Sequence, residues 1–361
     1  MTEDHAQVDR RLVAAARRML TAEAVRERAN RLFDLALMDR LEHFTVDLGR
    51  LDATARLVAE MTRSEYPTLE VPPYARWRDF DVGECDRWGM LVMARDWADA
   101  CELGRAAVDL ATVSVLSDAG AGPRWVYAEA ATGETFSRSE GLAVASLAMF
   151  ASGVFSSDPF DPLRADARAL AGLTAEEMAD GFQVSTSNPL VGLDGRLGLI
   201  NRLGQALAHR PDVFGADDGS LRPGGLVDHL FRLFPDGRVP AAQVLEILLE
   251  ALGGVWPGPY VLGGVPLGDT WIHRKLATDD PTSGLMPLHK TPQWLAHSLI
   301  EPRTWAGLEV TDLDGLTGLS CYRNGGLMID AGLLQLRDRS QLGRVHPIDG
   351  ELVVEWRALT V

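Results

Sequence analysis

Apolar residues along this chain recur mostly at helical spacing. After Thr21, the residues Val25, Ala29, Leu32, Phe33, Ala36 and Leu37 fall on one face and predict a helix with Thr21 as its N-cap. Asp86 to Leu116 is nearly continuous helix signal, with one break expected at Leu103-Gly104. It stops where Gly120, Gly122 and Pro123 forbid continuation. The stretch RWVYAEAATGETFSR alternates about Thr132-Gly133 and predicts a hairpin. Ser137 with Glu140 fits a capping box that opens a helix through GLAVASLAMF, and Thr174 with Glu177 fits a second.

The two Asp-Pro steps of SSDPFDPLRAD predict a loop. Helices are expected over Arg196–His209, Gly225–Phe234 and Ala241–Leu252, each bounded by Gly, Pro or Asp. GGVWPGPYVLGGVPLGD is too rich in Gly and Pro for a regular element. Thr291 and Pro292 predict an N-cap and a first helical position, with Pro302 as the stop. LVVEW fits a strand or a helix. No repeat, low-complexity tract or linker interrupts the pattern. The expected fold is mainly α with minor β: a single integrated domain over 21–361, preceded by a basic helical extension over 1–20.

With 361 residues, 46% of them hydrophobic and 24% charged, the chain can bury a large core. A net charge of −16 repels phosphate backbones and argues against a nucleic-acid partner, though not against a small anion in a local basic pocket. The three cysteines, Cys85, Cys101 and Cys321, lack metal-ligand spacing, and an odd, sparse count fits a reducing compartment. No apolar run is long enough to span a membrane. Arg10, Arg11, Arg17 and Arg18 could mimic a targeting helix, but Glu3, Asp4 and Asp9 precede it and no cleavage pattern follows. The expected location is the cytoplasm.

Dinucleotide, phosphate-loop, zinc-protease, nucleophile-elbow and CxxC motifs are all missing. His289 and His297 are not at metal-ligand spacing and no H-x-H occurs, so neither metal nor cofactor is expected. Several residues nevertheless suggest chemistry. Asp118 closes a buried-looking helix, where turn formation is the ordinary role. A carboxylate facing the negative end of a helix dipole needs a cation or donors, however, which makes Asp118 a catalytic candidate. Asp312 and Asp314 suit turns or caps. In an extended stretch they would face the same way, and two close carboxylates hold one pKa high. Lys290, beside His289 at a helix start, adds positive charge where an anion is favoured, or else simply snorkels to the surface.

Arg323 lies between apolar flanks in LSCYRNGGLMID, with Tyr322, Asn324 and Asp330. A buried arginine is ordinarily ion-paired, here with Asp330 or a neighbouring acid. The functional alternative is a fork that binds a phosphate or orients a catalytic carboxylate. His43 and the run Arg76-Trp77-Arg78 carry less signal. Tryptophans such as Trp77 are ordinarily core, though one could floor a ligand site.

The segments HFTVDLGRLD, SVLSDAGAGPRWVY, FSRSEGLAVASLAMF, NPLVGLDGR, GLMPLHKTPQWLAHSLIEP, LDGLTGLSCYRNGGLMIDAGLL and ELVVEWRALTV together resemble the uracil-catabolism family. That family's chemistry is unknown, and it occurs in fungi and bacteria beside genes of a urea-releasing uracil degradation route. The match runs from about Thr21 to Val361. A more distant resemblance bears on mechanism. LHKTPQWLAHSL, DLDGLTGLSCYRNGGLMIDAGLL and ELVVEWRALTV are similar, in order, to segments of the queuosine-nucleoside glycosylases. These are α-rich enzymes resembling helix-hairpin-helix DNA glycosylases, and they hydrolyse an N-ribosidic bond. Carried over, that resemblance implicates Lys290, Gln293, Tyr322, Arg323, Glu355 and Arg357, and SVLSDAGAGP points again at Asp118. One position departs: the glycosylases' acid before Tyr-Arg is Cys321 here, so Asp312, Asp314 or Asp330 would have to serve.

Together the resemblances imply a hydrolytic N-ribosidase that releases urea from a ureido-ribose or its phosphate, without cofactor or metal. Asp118, Asp314 or Asp312 would be the catalytic carboxylate. Lys290, Gln293, Tyr322, Arg323, Asn324, Asp330, His43 and Trp77 would contact substrate. The partners would be a small ribosyl compound and other uracil-degradation enzymes, with no nucleic acid and no membrane. The alternative from another class is a non-catalytic partner of the pathway's ring-opening enzyme.

Overall fold

The computed structural model describes residues 2–361. About 52% of the chain is helical and 9% is strand, so the protein is mainly α. The helices are α1 (Thr2–Met19), α2 (Ala22–Leu37), α3 (Leu51–Glu65), α4 (Trp77–Phe80), α5 (Arg87–Met93), α6 (Ala100–Ser117), α7 (Arg138–Ala151), α8 (Ala167–Gly172), α9 (Ala175–Gly181), α10 (Leu193–His209), α11 (Pro211–Phe214), α12 (Gly225–Leu233), α13 (Ala241–Ala251), α14 (Lys290–Ser298), α15 (Ile300–Trp305), α16 (Tyr322–Asp330) and α17 (Glu351–Ala358).

The strands form only two-stranded ladders. β1 (Phe44–Val46) pairs antiparallel with Leu334–Leu336 near the C-terminus, and Val126–Ala128 pairs with Thr135–Ser137 as the expected hairpin. Arg238–Pro240 runs parallel to Glu309–Thr311. The glycine-rich segment before α14 folds into Val261–Leu262 against Val265–Pro266, followed by Thr270–Ile272 against Leu285–Pro287. Among the described residues, no helix is long and apolar enough to cross a membrane.

Two compact units emerge, each discontinuous in sequence. The first comprises Met1–Pro72, Trp256–Gln293 and Asp314–Val361; the second comprises Pro73–Val255 and Trp294–Leu313. Two crossings fall in Pro- or Gly-rich sequence, at Pro72-Pro73 and within GGVWPGP, and one falls inside α14. In the first unit, Ala29, Leu32 and Ala36 of α2 pack with Trp271, Met286, Leu288 and with Val354 and Ala358 of α17. In the second, α6 is buried from Ala106 to Ser117 and packs against α7, α10, α12 and α15. A helix apolar on every side is expected to sit at the centre of its unit.

Local chemistry explains most helix starts. Thr21 caps α2 by accepting the Ala24 N–H, and Thr174 with Glu177 forms a complete capping box on α9. Four expectations are corrected. The break in the Asp86–Leu116 region lies between Met93 and Ala100, where Asp99 caps α6 through the Glu102 N–H. Gly104 is no breaker: a Cβ there would come within 2.5 Å of the Ala306 Cβ, so it is glycine for close packing of α6 on α15. Ser137 makes no cap bond, because it ends its strand and Arg138 follows with φ +54. Around α14, Thr291 is inside the helix and Asp269, from another segment, accepts the Lys290 N–H. Pro302 does not end that helix but sits in the first turn of α15, where its missing N–H costs nothing. LVVEW is helical, within α17.

Candidate functional site

Both units hold concentrated charge, and the second also has the buried Arg222 paired with Asp109 and Glu102. In the first, Arg357 makes a fork to Asp269, Nη1 to Oδ1 at 2.9 Å and Nη2 to Oδ2 at 2.7 Å. The Trp271 indole donates to Oδ1 at 2.7 Å and the Lys290 N–H to Oδ2 at 3.0 Å. Burial alone would push the Asp269 carboxyl up, but the charge and hydrogen bonds of Arg357, with Trp271 and the Lys290 amide, outweigh it and bring the carboxyl down to about 2. Arg357 also donates to the Ser320 carbonyl at 3.3 Å. This ion pair therefore ties α17, the start of α14 and the approach to α16 together.

Beside it, Glu355 is fully buried and accepts from the backbone N–H groups of His43 and Phe44 and from His273 Nε2. Gln293, also fully buried, accepts from the Thr317 amide and hydroxyl. Glu355, Arg357 and Gln293 are therefore positioning groups.

α16 departs from expectation. Arg323 is exposed, as are Tyr322, Asn324 and Asp330. Arg323 and Asp330 stand near opposite ends of the helix, about 10 Å apart along its axis, so they do not form the expected ion pair. The apolar flanks misled because Leu319 and Ser320 are buried and the helix then turns outward. Cys321 caps α16, its sulfur accepting the Asn324 N–H at 3.5 Å, while the Asn324 side chain donates to the Leu319 carbonyl. The Tyr322 ring lies 5.3 Å from Trp356. Asp312 and Asp314 are exposed and not in an extended run: Asp312 has φ +52 and Asp314 lies in a 3-10 turn.

In the second unit, Arg76 is fully buried and gathers an array of partners. Its Nε donates to the Ser114 hydroxyl at 2.7 Å. Its Nη1 donates to Asp79 Oδ2 at 2.8 Å and to the Ser139 carbonyl and hydroxyl at 3.2 Å. The same Nη1 is 3.6 Å from Asp118 Oδ1, which in turn accepts from the Ser139 hydroxyl at 2.7 Å. The guanidinium lies over the Trp294 ring at 5.5 Å, and Tyr74 stacks against that ring.

Asp118 is the C-cap of α6, as expected, and the compensation its position demands is present. Besides Arg76, the buried Arg196 donates to the carbonyls of Ser117 and Ala119 at the same helix end. Asp79 and Asp118 retain 24% and 14% side-chain exposure, so both can be reached. Burial pushes the Asp79 carboxyl up; Arg76 opposes this, and Asp118 and Glu140 add to it. Trp77, by contrast, is core: its ring packs on Phe80, Trp88 and Trp305 and its N–H donates to the Ser298 carbonyl.

Asp269 has no signal in the sequence, since it acquires its role from Arg357 on another element. For Asp79 a hint existed in the adjacent Arg76-Trp77-Arg78 run.

A family model described as "Protein of unknown function (DUF1688)" matches residues 18–361. Protein urg3 of Schizosaccharomyces pombe is 36% identical over 353 residues, covering 95% of this chain and 83% of its own. Uracil catabolism protein 4 of Lachancea kluyveri is 34% identical over 374 residues, covering 94% of this chain and 84% of its own.

Proposed function

The chain belongs to the family described as "Protein of unknown function (DUF1688)", and on that premise we propose that it is a hydrolytic N-ribosidase of uracil catabolism, releasing urea from a ureido-ribose or its 5′-phosphate. The pathway rests on the relative named a uracil catabolism protein. The bond class is supported by the ordered resemblance to queuosine-nucleoside glycosylases, whose helix-hairpin-helix-like fold this reading also extends to the present chain.

One observation carries the chemistry: a single buried guanidinium, Arg76, holds two reachable carboxylates, Asp79 and Asp118, and burial pushes Asp79 toward its protonated form. Cleavage of the ribosyl C–N bond passes through an oxocarbenium-like state. Asp118 would stabilise that charge and accept a proton from the attacking water. Asp79 would donate its proton to the departing nitrogen. Water adds to the anomeric carbon as the C–N bond breaks, leaving ribose and urea. Burial that pushes Asp79 toward its protonated form suits it to the part of the acid. Arg76, touching both, is a positioning residue.

The test is to incubate the purified protein with synthetic ribosylurea and its 5′-phosphate and assay urea and free sugar. Release is expected, and it should fall sharply in Asp118→Asn. No release from either compound by folded protein would overturn the reading.

A second reading, a non-catalytic partner of the ring-opening enzyme, draws on α3. Only Thr54 of that helix is buried, while Leu51, Leu57, Val58 and Met61 are exposed, an apolar surface suited to contact. Co-purification with that enzyme through α3, combined with inactivity on both ribosides, would favour it.

A further inference from the structure

His43, one of the weaker candidates in the sequence, has no part in the ribosidase chemistry. Its backbone is pinned to Glu355, but its imidazole faces a separate cleft of about 440 Å³ in the first unit. The lining includes Glu42, His43, Arg274, Asp338, His346 and Glu351. Glu42 and His43 immediately precede β1, Arg274 follows the strand Thr270–Ile272, and Glu351 is the first residue of α17.

One imidazole nitrogen of His43 and one carboxylate oxygen each of Glu42 and Glu351 lie within 4.8 Å of one another. His43 Nε2 is shielded from solvent and has no hydrogen-bond partner. A shielded ring nitrogen is ordinarily satisfied, so this one indicates a group still to be bound. Charge balance points the same way. Arg274 pairs with both Glu42 and Glu351, its Nε 3.0 Å from Glu351 Oε2. Yet three carboxylates (Glu42, Asp338 and Glu351) against this one guanidinium leave the lining two charges negative.

We propose that Glu42, His43 and Glu351 form a binding site for one divalent transition cation, with Arg274 as the competing positive charge. One imidazole and two carboxylates favour zinc, cobalt or nickel over magnesium or calcium, which prefer all-oxygen shells. His346 and Asp338 also line the cleft, and water would complete the shell. Glu355, which fixes the His43 backbone from beneath, is a positioning residue for the site. Such a site would clamp the segment before β1 to the start of α17, and it does not rest on the ribosidase reading. No sequence spacing announces it, because Glu42-His43 and Glu351 come from opposite ends of the chain.

The experiment is equilibrium dialysis of the untagged, full-length protein against Zn²⁺, with Co²⁺ absorption spectra as a second readout. The expected result is one equivalent bound, with Co²⁺ bands that report an imidazole ligand. His43→Ala should weaken binding by about tenfold or more, and Arg274→Gln should tighten it by removing the competing cation. Circular dichroism of each variant separates ligand loss from misfolding. The proposal is overturned if the wild type binds no stoichiometric metal, or if folded His43→Ala binds as tightly as the wild type.

Discussion

The two charge clusters use the same ingredients, a buried arginine and aspartate, to opposite ends. Around Asp269 every oxygen is answered: a two-pronged guanidinium, an indole and a backbone amide meet one carboxylate. Around Arg76 the ratio reverses, with one guanidinium shared by Asp79 and Asp118, both partly exposed. The first arrangement saturates an acid and lowers its pKa; the second leaves an acid under-compensated and raises it. A saturated pair organises backbone, whereas an under-compensated pair keeps a proton available. Buried charge in the sequence therefore does not separate these two arrangements, and their ratio of acids to cations does.

Removing one partner of the saturated pair should produce the largest effect. Arg357→Ala leaves Asp269 buried and unpaired, at a cost of about 3–5 kcal/mol, to be read as a fall in denaturation midpoint. If the midpoint hardly moves, the pair is not the anchor of the first unit.

Next in size, Asp118→Asn should lower kcat on ribosylurea by about 100- to 1000-fold while leaving the midpoint nearly unchanged. A loss of stability as large as that for Arg357→Ala would make the two clusters alike and erase the contrast.

The pH responses should also diverge. Asp269 titrates at about 2 when folded, below its ordinary 3.8. The stability from its ionised form is thus present above about pH 4 and is lost as pH falls toward 2. Over that window the gap between wild type and Arg357→Ala should close. Asp79 is shifted the other way. Its proton survives to higher pH, so turnover should decline as pH rises through the elevated value, and Asp79→Asn should remove that alkaline limb. A limb unchanged in Asp79→Asn would assign the proton to another group.

The smallest effect serves as a control. Thr174→Ala breaks the α9 capping box and should cost about 1 kcal/mol with kcat unaffected.

Elements governed by neighbours in sequence were legible beforehand. Thr21, the Thr174–Glu177 box and the hairpin at Thr132-Gly133 are local chemistry, and the mainly α class followed from periodicity. Asp118 was found by one local argument, that a carboxylate at a helix C-terminus needs a cation. What could not be read was set by distant partners. Gly104 reads as a breaker until Ala306 is beside it. Thr291 reads as a cap until Asp269 supplies one from another segment. Arg323 reads as buried until α16 is seen to turn outward after Ser320. Asp79 becomes interesting only once Arg76 is shown to bridge it to Asp118.

The pairing of β1 with Leu334–Leu336, and of α2 with α17 in one core, sets a timetable for synthesis. The first helices emerge from the ribosome long before the residues that cover them. Until Glu351–Val361 is translated, the α2 face lacks Val354 and Ala358, and the backbone amides of His43 and Phe44 lack their acceptor, Glu355. Such long-range closure is intrinsically slow and leaves early segments open to misassociation. The segment Glu351–Val361 thus acts as a latch, and a nascent chain stalled short of Glu351 would be a natural client for chaperones.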